Sequence, residues 1–462
     1  MRQGLDPWHS MGMESGREPR ADDAAAPPIA ALLAEADRLV ARIAAGGDPA
    51  DEAALRAVVG RLLPIDEAAA LERLLAVWPG FAAARVRRAE ILEQRGDAMA
   101  ALAELRRALI HDPGSSAALW HLGRHSDAEA PLRRALAVEP GLAAAAQDLG
   151  MHLLRRGRLA EGWRLYEARR HTPSWVDRSA DIDAPEWDGR LVPGLRLLLV
   201  AEQGRGDAIQ FVRYAAPLRD AGMQVLLRAP ERMVRLLGSA PGLSGTVGFG
   251  AVPPAVDAWV PLMTVPRFLT PTTGAIPAPD RYLAADPARI DLWRARLGAL
   301  PGLRVGLAWQ GNPEVVGDGT RSVPPAALSA LAAVPGLSLV SLQRAPDGGP
   351  LPPGSLLPGV LDPGPGLDAG PDAFLDTAAV IAGLDLVVTS DTALAHLAGA
   401  LGAETWVALR AVPDWRWFLG REDSPWYPAM RLFRQQAPGD WAGVYARIAE
   451  ALRLRAVAAT RP

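Results

Sequence analysis

Three Pro-Gly pairs constrain this chain more than any other feature. They stand in WPGFAAA, DPGSSAA and EPGLAAA, at Pro79, Pro113 and Pro140. Each precedes a run of small and apolar residues, and Pro-Gly punctuates the chain between helices. From Pro79 to Pro113 is one full period of a two-helix repeat, about 34 residues. Gly96 follows Pro79, and Gly157 follows Pro140, by half that period, where the turn between paired helices falls. The interval from Pro113 to Pro140 is shorter by about seven residues, or two helical turns. There Gly123 follows its Pro early, by the same shortfall. The middle unit is therefore expected to have a shortened first helix, with Gly123 in its turn and the phase kept.

The period, the turn glycines and the small residues in ALAELRRAL and APLRRALAV together identify tetratricopeptide-like (TPR-like) repeats over 29–172. Residues 30–78, with IAALLAEADRLVARI, are helical in pattern and suit a degenerate repeat or a cap. Stacked repeats expose a groove for a partner or acceptor. No catalytic set is evident in this half. His111, His121, His125 and His152 are expected to cap, pack or face solvent rather than bind metal.

Charge and composition narrow the partners. The net charge is −3 over 462 residues, so no basic excess draws the chain to nucleic acid or an anionic membrane. No apolar run reaches the length of about 18 residues that a transmembrane helix needs. Residues 1–28 are polar, with no apolar segment of a signal peptide, and read as a disordered tail. A cytoplasmic protein is expected. Cys is absent, which excludes disulfides and thiolate chemistry. Of seven His, only His396 lies beyond residue 171, so no multi-His metal site is expected in the second half. Every basic side chain is Arg. Anions must be held by Arg, backbone N–H groups or helix ends.

The pattern changes near residue 175. DIDAPEWDGRLVPG reads as a linker, placed at 173–194. Short apolar runs then alternate with helical stretches, the mark of parallel α/β sheets. LRLLLVAE, MQVLLRA, GTVGF and AWVPL form one series. LRVGLAWQ, LSLVSLQ, LDLVVTSD, ETWVALR and MRLFRQ form a second. Two Rossmann-like units facing a cleft are expected, at 195–285 and 286–458, with a closing helix from Trp441.

Ligands of such sheets bind outside the carboxyl ends of the strands. After the first strand come Glu202, Gln203, Gly204, Arg205, Gly206 and Asp207. This is not the dinucleotide fingerprint, because Ile209 stands where its third glycine would be. Asp207 is either a helix cap or a general base. After the second unit's first strand come a Gly-Asn-Pro turn, Asp318, Arg321 and Ser322, and Arg321 is either a solvated surface cation or a ligand for an anion. After LDLVV come Thr389, Ser390, Asp391, Thr392 and, one turn on, His396. Asp391 or Thr392 would cap a helix whose N-terminus suits a phosphate. Trp415, Trp417, Trp426 and Tyr427 form either a stacking platform for sugar or base, or core.

Taken in order, EGWRLYEAR, APEWDG, EQGRGDAIQFVRYA, LAWQGNP, SDTALAHLAGALG and DWRWFLGREDSPWYPAMRLFRQ resemble bacterial TPR proteins fused to a GT-B glycosyltransferase domain, over roughly residues 80–455. The catalytic half is similar to the heptosyltransferases, and the layout to O-linked N-acetylglucosamine transferases. The resemblance implies that Gly206-Asp207 supplies the catalytic base, and that Arg321 contacts donor phosphates. It implies further that Asp391, Thr392 and His396 hold the diphosphate. Glu202, Gln203, Gly204, Gly206 and Gln210 would support the loop or the acceptor. Two positions depart from the family pattern, Ala393 where a Gly is usual and Arg205 where a Leu is usual.

The resemblance also implies a reaction: inverting, metal-independent transfer from a nucleotide diphosphate sugar, as co-substrate, to an acceptor hydroxyl. No cofactor and no metal are expected, and the TPR groove would dock a protein or glycan acceptor. A repeat scaffold with a degenerate GT-B domain, or a nucleotide-sugar epimerase or hydrolase, are the alternatives.

Overall fold

A computed structural model describes residues 29–46, 48–63, 65–311, 321–345, 349, 351–352 and 355–459. The expected tail at 1–28, and Asn312, Pro313 and Asp318 of the loop before Arg321, lie outside the described residues. The chain divides into two compact units, Met1–His152 and Leu153–Pro462.

The first unit is helical: α1 (Ile29–Ala44), α2 (Pro49–Leu62), α3 (Glu67–Val77), α4 (Ala82–Gln94), α5 (Ala98–His111), α6 (Ser116–Ser126), α7 (Glu129–Val138) and α8 (Ala143–Arg155), which runs across the division. Asp48, Asp66, Asp97 and Ser115 cap α2, α3, α5 and α6 with side-chain oxygens that accept backbone N–H bonds. Leu55, Leu62, Leu71 and Leu74 form the core of the first three helices, and Leu105 with Ala101 and Ala108 that of the next pair.

The shortened middle repeat is real, but its turn lies elsewhere. Gly123 is inside α6, and the turn is made by Asp127 in the left-handed region at φ 47°. Gly123 is small for another reason, since a Cβ there would stand 2.6 Å from Leu132 Cγ of α7. The missing residues come from both helices: α6 has 11 residues against 13 in α4, and α7 has 10 against 14 in α5.

The second unit starts with α9 (Leu159–Tyr166), so the 29–172 span read as repeats straddles the division. The cause is packing. Trp163 of α9 packs edge-on and Tyr166 at a tilt against Trp415, and Arg169 is buried against Glu202. The 173–194 segment, expected as a linker, is fastened down. Trp187 N–H donates to Trp259 O at 2.8 Å and its ring packs edge-on against Phe268. Gly189, at φ +90°, lies where a Cβ would be 2.2 Å from the Phe268 ring.

Two parallel sheets follow. The first contains β1 (Arg196–Val200), β2 (Gln224–Ala229), β3 (Leu243–Gly248) and β4 (Ala258–Pro261), in the order β3-β2-β1-β4. Around it lie α10 (Arg205–Phe211), α11 (Ala215–Asp220), α12 (Val234–Leu237) and α13 (Val265–Leu269). After α14 (Pro287–Leu297) the second sheet is built from β5 (Leu303–Ala308), β6 (Leu337–Ser341), β7 (Val360–Leu361), β8 (Leu386–Ser390), β9 (Thr405–Leu409) and β10 (Met430–Arg434). Its order is β10-β9-β8-β5-β6-β7. Its helices are α15 (Pro325–Ala332), α16 (Leu375–Ile381), α17 (Ala393–Ala400) and the closing α18 (Trp441–Ala459). The fold class is thus a TPR-like helical domain followed by a GT-B type pair of Rossmann-like sheets. Central strands β1, β8 and β9 are buried on both faces, as parallel strands under helices must be.

Candidate active site

The two sheets turn strand ends toward one another through α10 and α17. Val200 ends β1, and the chain reaches α10 through Gln203, a non-glycine residue in the left-handed region at φ 54°. Gly204 is the N-cap, and its N–H donates to Asp207 Oδ2 at 2.8 Å. Asp207 is therefore a helix cap. It is also more than that, because its other oxygen accepts from Arg416 Nη2.

Arg416 follows β9 and organises the cluster. Its Nε donates to Gln210 Oε1 at 2.8 Å and its Nη1 to Asp414 Oδ1 at 2.9 Å. The guanidinium also lies 4.1 Å from the Trp415 ring centroid. Burial pushes the Asp207 carboxyl above its ordinary range, and the Arg416 charge opposes the rise. For Asp414 burial also works upward, but Arg416 prevails and holds that carboxyl down. Asp414 therefore stays ionised, and its charge reaches Asp391. Burial first, then that charge, pushes Asp391 up to about 6, while Trp417, Arg321 and Arg410 act against it.

Of the two residues expected to cap α17, Thr392 is the N-cap by position, yet its side chain makes no cap bond. Its hydroxyl lies 3.5 Å from that of Thr389 instead. His396 is buried, with Nδ1 2.9 Å from Tyr427 Oη and its ring stacked on Trp417 at 5.3 Å. Burial, then Arg416, pushes its pKa down to about 3, so it is neutral at pH 7. Gly206 explains how α10 and α17 meet: a Cβ there would lie 3.0 Å from His396 Cδ2 and 3.3 Å from Ala393 Cα.

The fold thus gathers Asp207, Gly206, Gln210, Asp391, Thr392, His396 and Arg321 at the facing strand ends. Glu202 turns away. It takes a bidentate bond from buried Arg169, at 3.0 and 2.8 Å, and one from Met263 N–H at 3.0 Å. Gln203 is exposed and accepts from Tyr166 Oη at 3.3 Å. Trp415, Trp417, Trp426 and Tyr427 are core, each at most 2% exposed. Among the described residues, the buried Gln210 Nε2 and Ser390 Oγ at the site find no hydrogen-bond partner.

Sequence reasoning missed Arg416, Asp414 and Arg213. Arg213 donates to Gln210 O at 2.7 Å and to Tyr282 Oη at 2.9 Å. The available signal was positional, since Asp414-Trp-Arg416 stands outside the carboxyl end of a parallel strand. The aromatic residues of the same stretch drew the reading to themselves, as a stacking platform or as core, and away from the two charges.

No protein-family model matches the chain. Protein FlbA of Caulobacter vibrioides is 30% identical over 330 residues, covering 65% of this chain and 53% of that protein. The chain thus spans about half the length of the curated relative it matches. Among solved structures, a glycosyl transferase family 9 protein from Veillonella parvula matches 58% of this chain and 97% of its own, at 10% identity and TM-score 0.40. The ADP-heptose lps heptosyltransferase II of E. coli matches 57% and 99%, at 12% and 0.39. A Thermobaculum terrenum O-GlcNAc transferase mutant matches 82% and 93%, at 15% and 0.25.

Proposed function

We propose that this chain is an inverting glycosyltransferase that needs no metal. It moves a sugar from a nucleotide diphosphate sugar to an acceptor hydroxyl, with the TPR-like repeats docking the acceptor or its carrier. The observation that carries the reading is the meeting of Asp207 and Arg416 between the strand ends of two parallel sheets. The orphaned polar atoms of Gln210 and Ser390 support it, since buried polar groups left unpaired mark places where a ligand or water belongs.

In this reading Asp207 accepts the proton of the acceptor hydroxyl while that oxygen attacks the anomeric carbon. The bond from that carbon to the diphosphate breaks, and the nucleotide diphosphate leaves with the electron pair. Arg321 and the N–H groups at the start of α17 take up its charge. Burial suits Asp207 to the task by raising its basicity. Arg416 orients it and opposes that rise.

A second reading is a scaffold whose sheets have lost chemistry. The close approach of Gly206 to Ala393 and His396 favours it, because α10 and α17 leave no gap there. Titration of a panel of nucleotide sugars by calorimetry separates the two. Saturable binding of one donor, lost in Arg321→Ala, supports the transferase. No donor affinity across the panel supports the scaffold.

A further inference from the structure

The first unit carries a cluster that the transferase reading does not use. His121 and His125 are four positions apart on α6, so both rings project from one face. Opposite them on α4 stand Glu90 and Glu93, three positions apart. His125 Nε2 lies 2.8 Å from Glu93 Oε2, and His121 Nε2 lies 3.0 Å from Glu90 Oε1. One ligand atom each from Glu93, His121 and His125 falls within 4.8 Å of the others. Both imidazoles are largely buried, at 6% and 11% side-chain exposure.

Ordinary hydrogen bonding does not account for all of this. His125 Nε2 is buried against the Glu93 carboxylate, its close partner, in a contact that falls short of good hydrogen-bond geometry. Arg124 Nη2 reaches both Glu93 oxygens, at 2.8 and 2.7 Å. A carboxylate offers about four lone-pair directions, so one guanidinium nitrogen leaves room for another partner.

We propose that Glu93, His121 and His125 form a site for a divalent transition-metal ion of the zinc class, joining the first helices of two successive repeats. Two imidazoles and a carboxylate are a donor set that zinc favours, whereas Ca²⁺ and Mg²⁺ take oxygen. Bonds of about 2.1 Å at tetrahedral angles place ligand atoms about 3.4 Å apart. The ligand atoms now lie within 4.8 Å of one another, so binding would have to draw them together. Glu90 stands beside His121 as a second carboxylate. The ion would tie α4 to α6, and so fix the spacing of the repeats.

The test is equilibrium dialysis of the full chain against Zn²⁺, with bound metal counted by mass spectrometry and the melting temperature followed in parallel. The expected result is one equivalent bound and a melting temperature raised by Zn²⁺ and lowered again by a chelator. His125→Gln and the double variant His121→Gln/His125→Gln should weaken binding by more than about ten-fold. Glu93→Gln provides the second route, because its side chain is 34% exposed and both imidazoles remain. Were the wild type to bind no more Zn²⁺ than these variants, the site would be refuted.

Discussion

Arg416 donates to the Asp207 carboxylate from the far sheet, and through Nε to Gln210 of the same helix. One guanidinium therefore ties α10 to the loop after β9. Both carboxylates it serves, Asp207 and Asp414, sit where burial disfavours their charge. Breaking a buried pair by removing one partner costs about 3–5 kcal/mol. Arg416→Gln should lose that much in urea unfolding, whereas Asp207→Asn, which leaves Arg416 its Asp414 partner, should lose less. Equal losses in the two would show that Arg416 is not the organising residue.

Gly206 makes a separate prediction. Its missing Cβ is what lets α10 lie against Ala393 and His396. The backbone of Ala393 cannot give way as a flexible side chain would. Gly206→Ala should therefore destabilise the second unit by about 1–3 kcal/mol, the usual range for overpacking. Gly204→Ala is the control, since a Cβ there meets only Asp207 Oδ2, at 3.1 Å. A melting curve for Gly206→Ala that matches the control would contradict the packing described.

These residues show what the sequence discloses and what it conceals. The strands were legible because buried parallel strands are uninterrupted apolar runs, as in LRLLLV and LDLVV. The repeats were legible from period alone. Gly123 was misread because a glycine in a turn and a glycine under a neighbouring helix look alike in one dimension. The anchoring of Trp187 was hidden because its partner, the edge strand β4, lies far along the chain. Arg416 was missed for the same reason. Its partner Asp207 is 209 positions away, and no local pattern encodes that pairing. The two-residue strand β7 is too short to leave a signature.

Asp207 and Arg321 should separate chemistry from binding. If Asp207 is the base, Asp207→Asn keeps the shape of the loop and the bond from Gly204 N–H but cannot take a proton. Turnover with a competent nucleotide sugar and acceptor should fall by about 10²–10⁴-fold, with donor affinity little changed. Arg321→Ala should do the reverse at the binding step, raising the donor dissociation constant. Steady-state kinetics alongside calorimetry measures both, and full turnover by Asp207→Asn would remove Asp207 from the mechanism.

Acid stability supplies the last prediction, because His396 and Asp391 act in opposite directions. The folded His396 titrates at about 3 against an ordinary 6.5. The unfolded chain therefore binds more protons between those values, and stability falls as pH drops through them, by up to about 1.4 kcal/mol per pH unit. Asp391 titrates at about 6 when folded against an ordinary 3.8. Its folded form holds the extra proton in that window, so acidification through it favours folding. Between pH 6 and 3.8 the two largely cancel. Asp391→Asn removes the favourable half and should be steeply acid-sensitive. His396→Gln removes the unfavourable half and should gain stability relative to wild type as pH falls from 6.5. Urea unfolding of the three proteins at several pH values in this window measures the slopes. Variants with the same slope as wild type would mean that neither group titrates as its burial dictates.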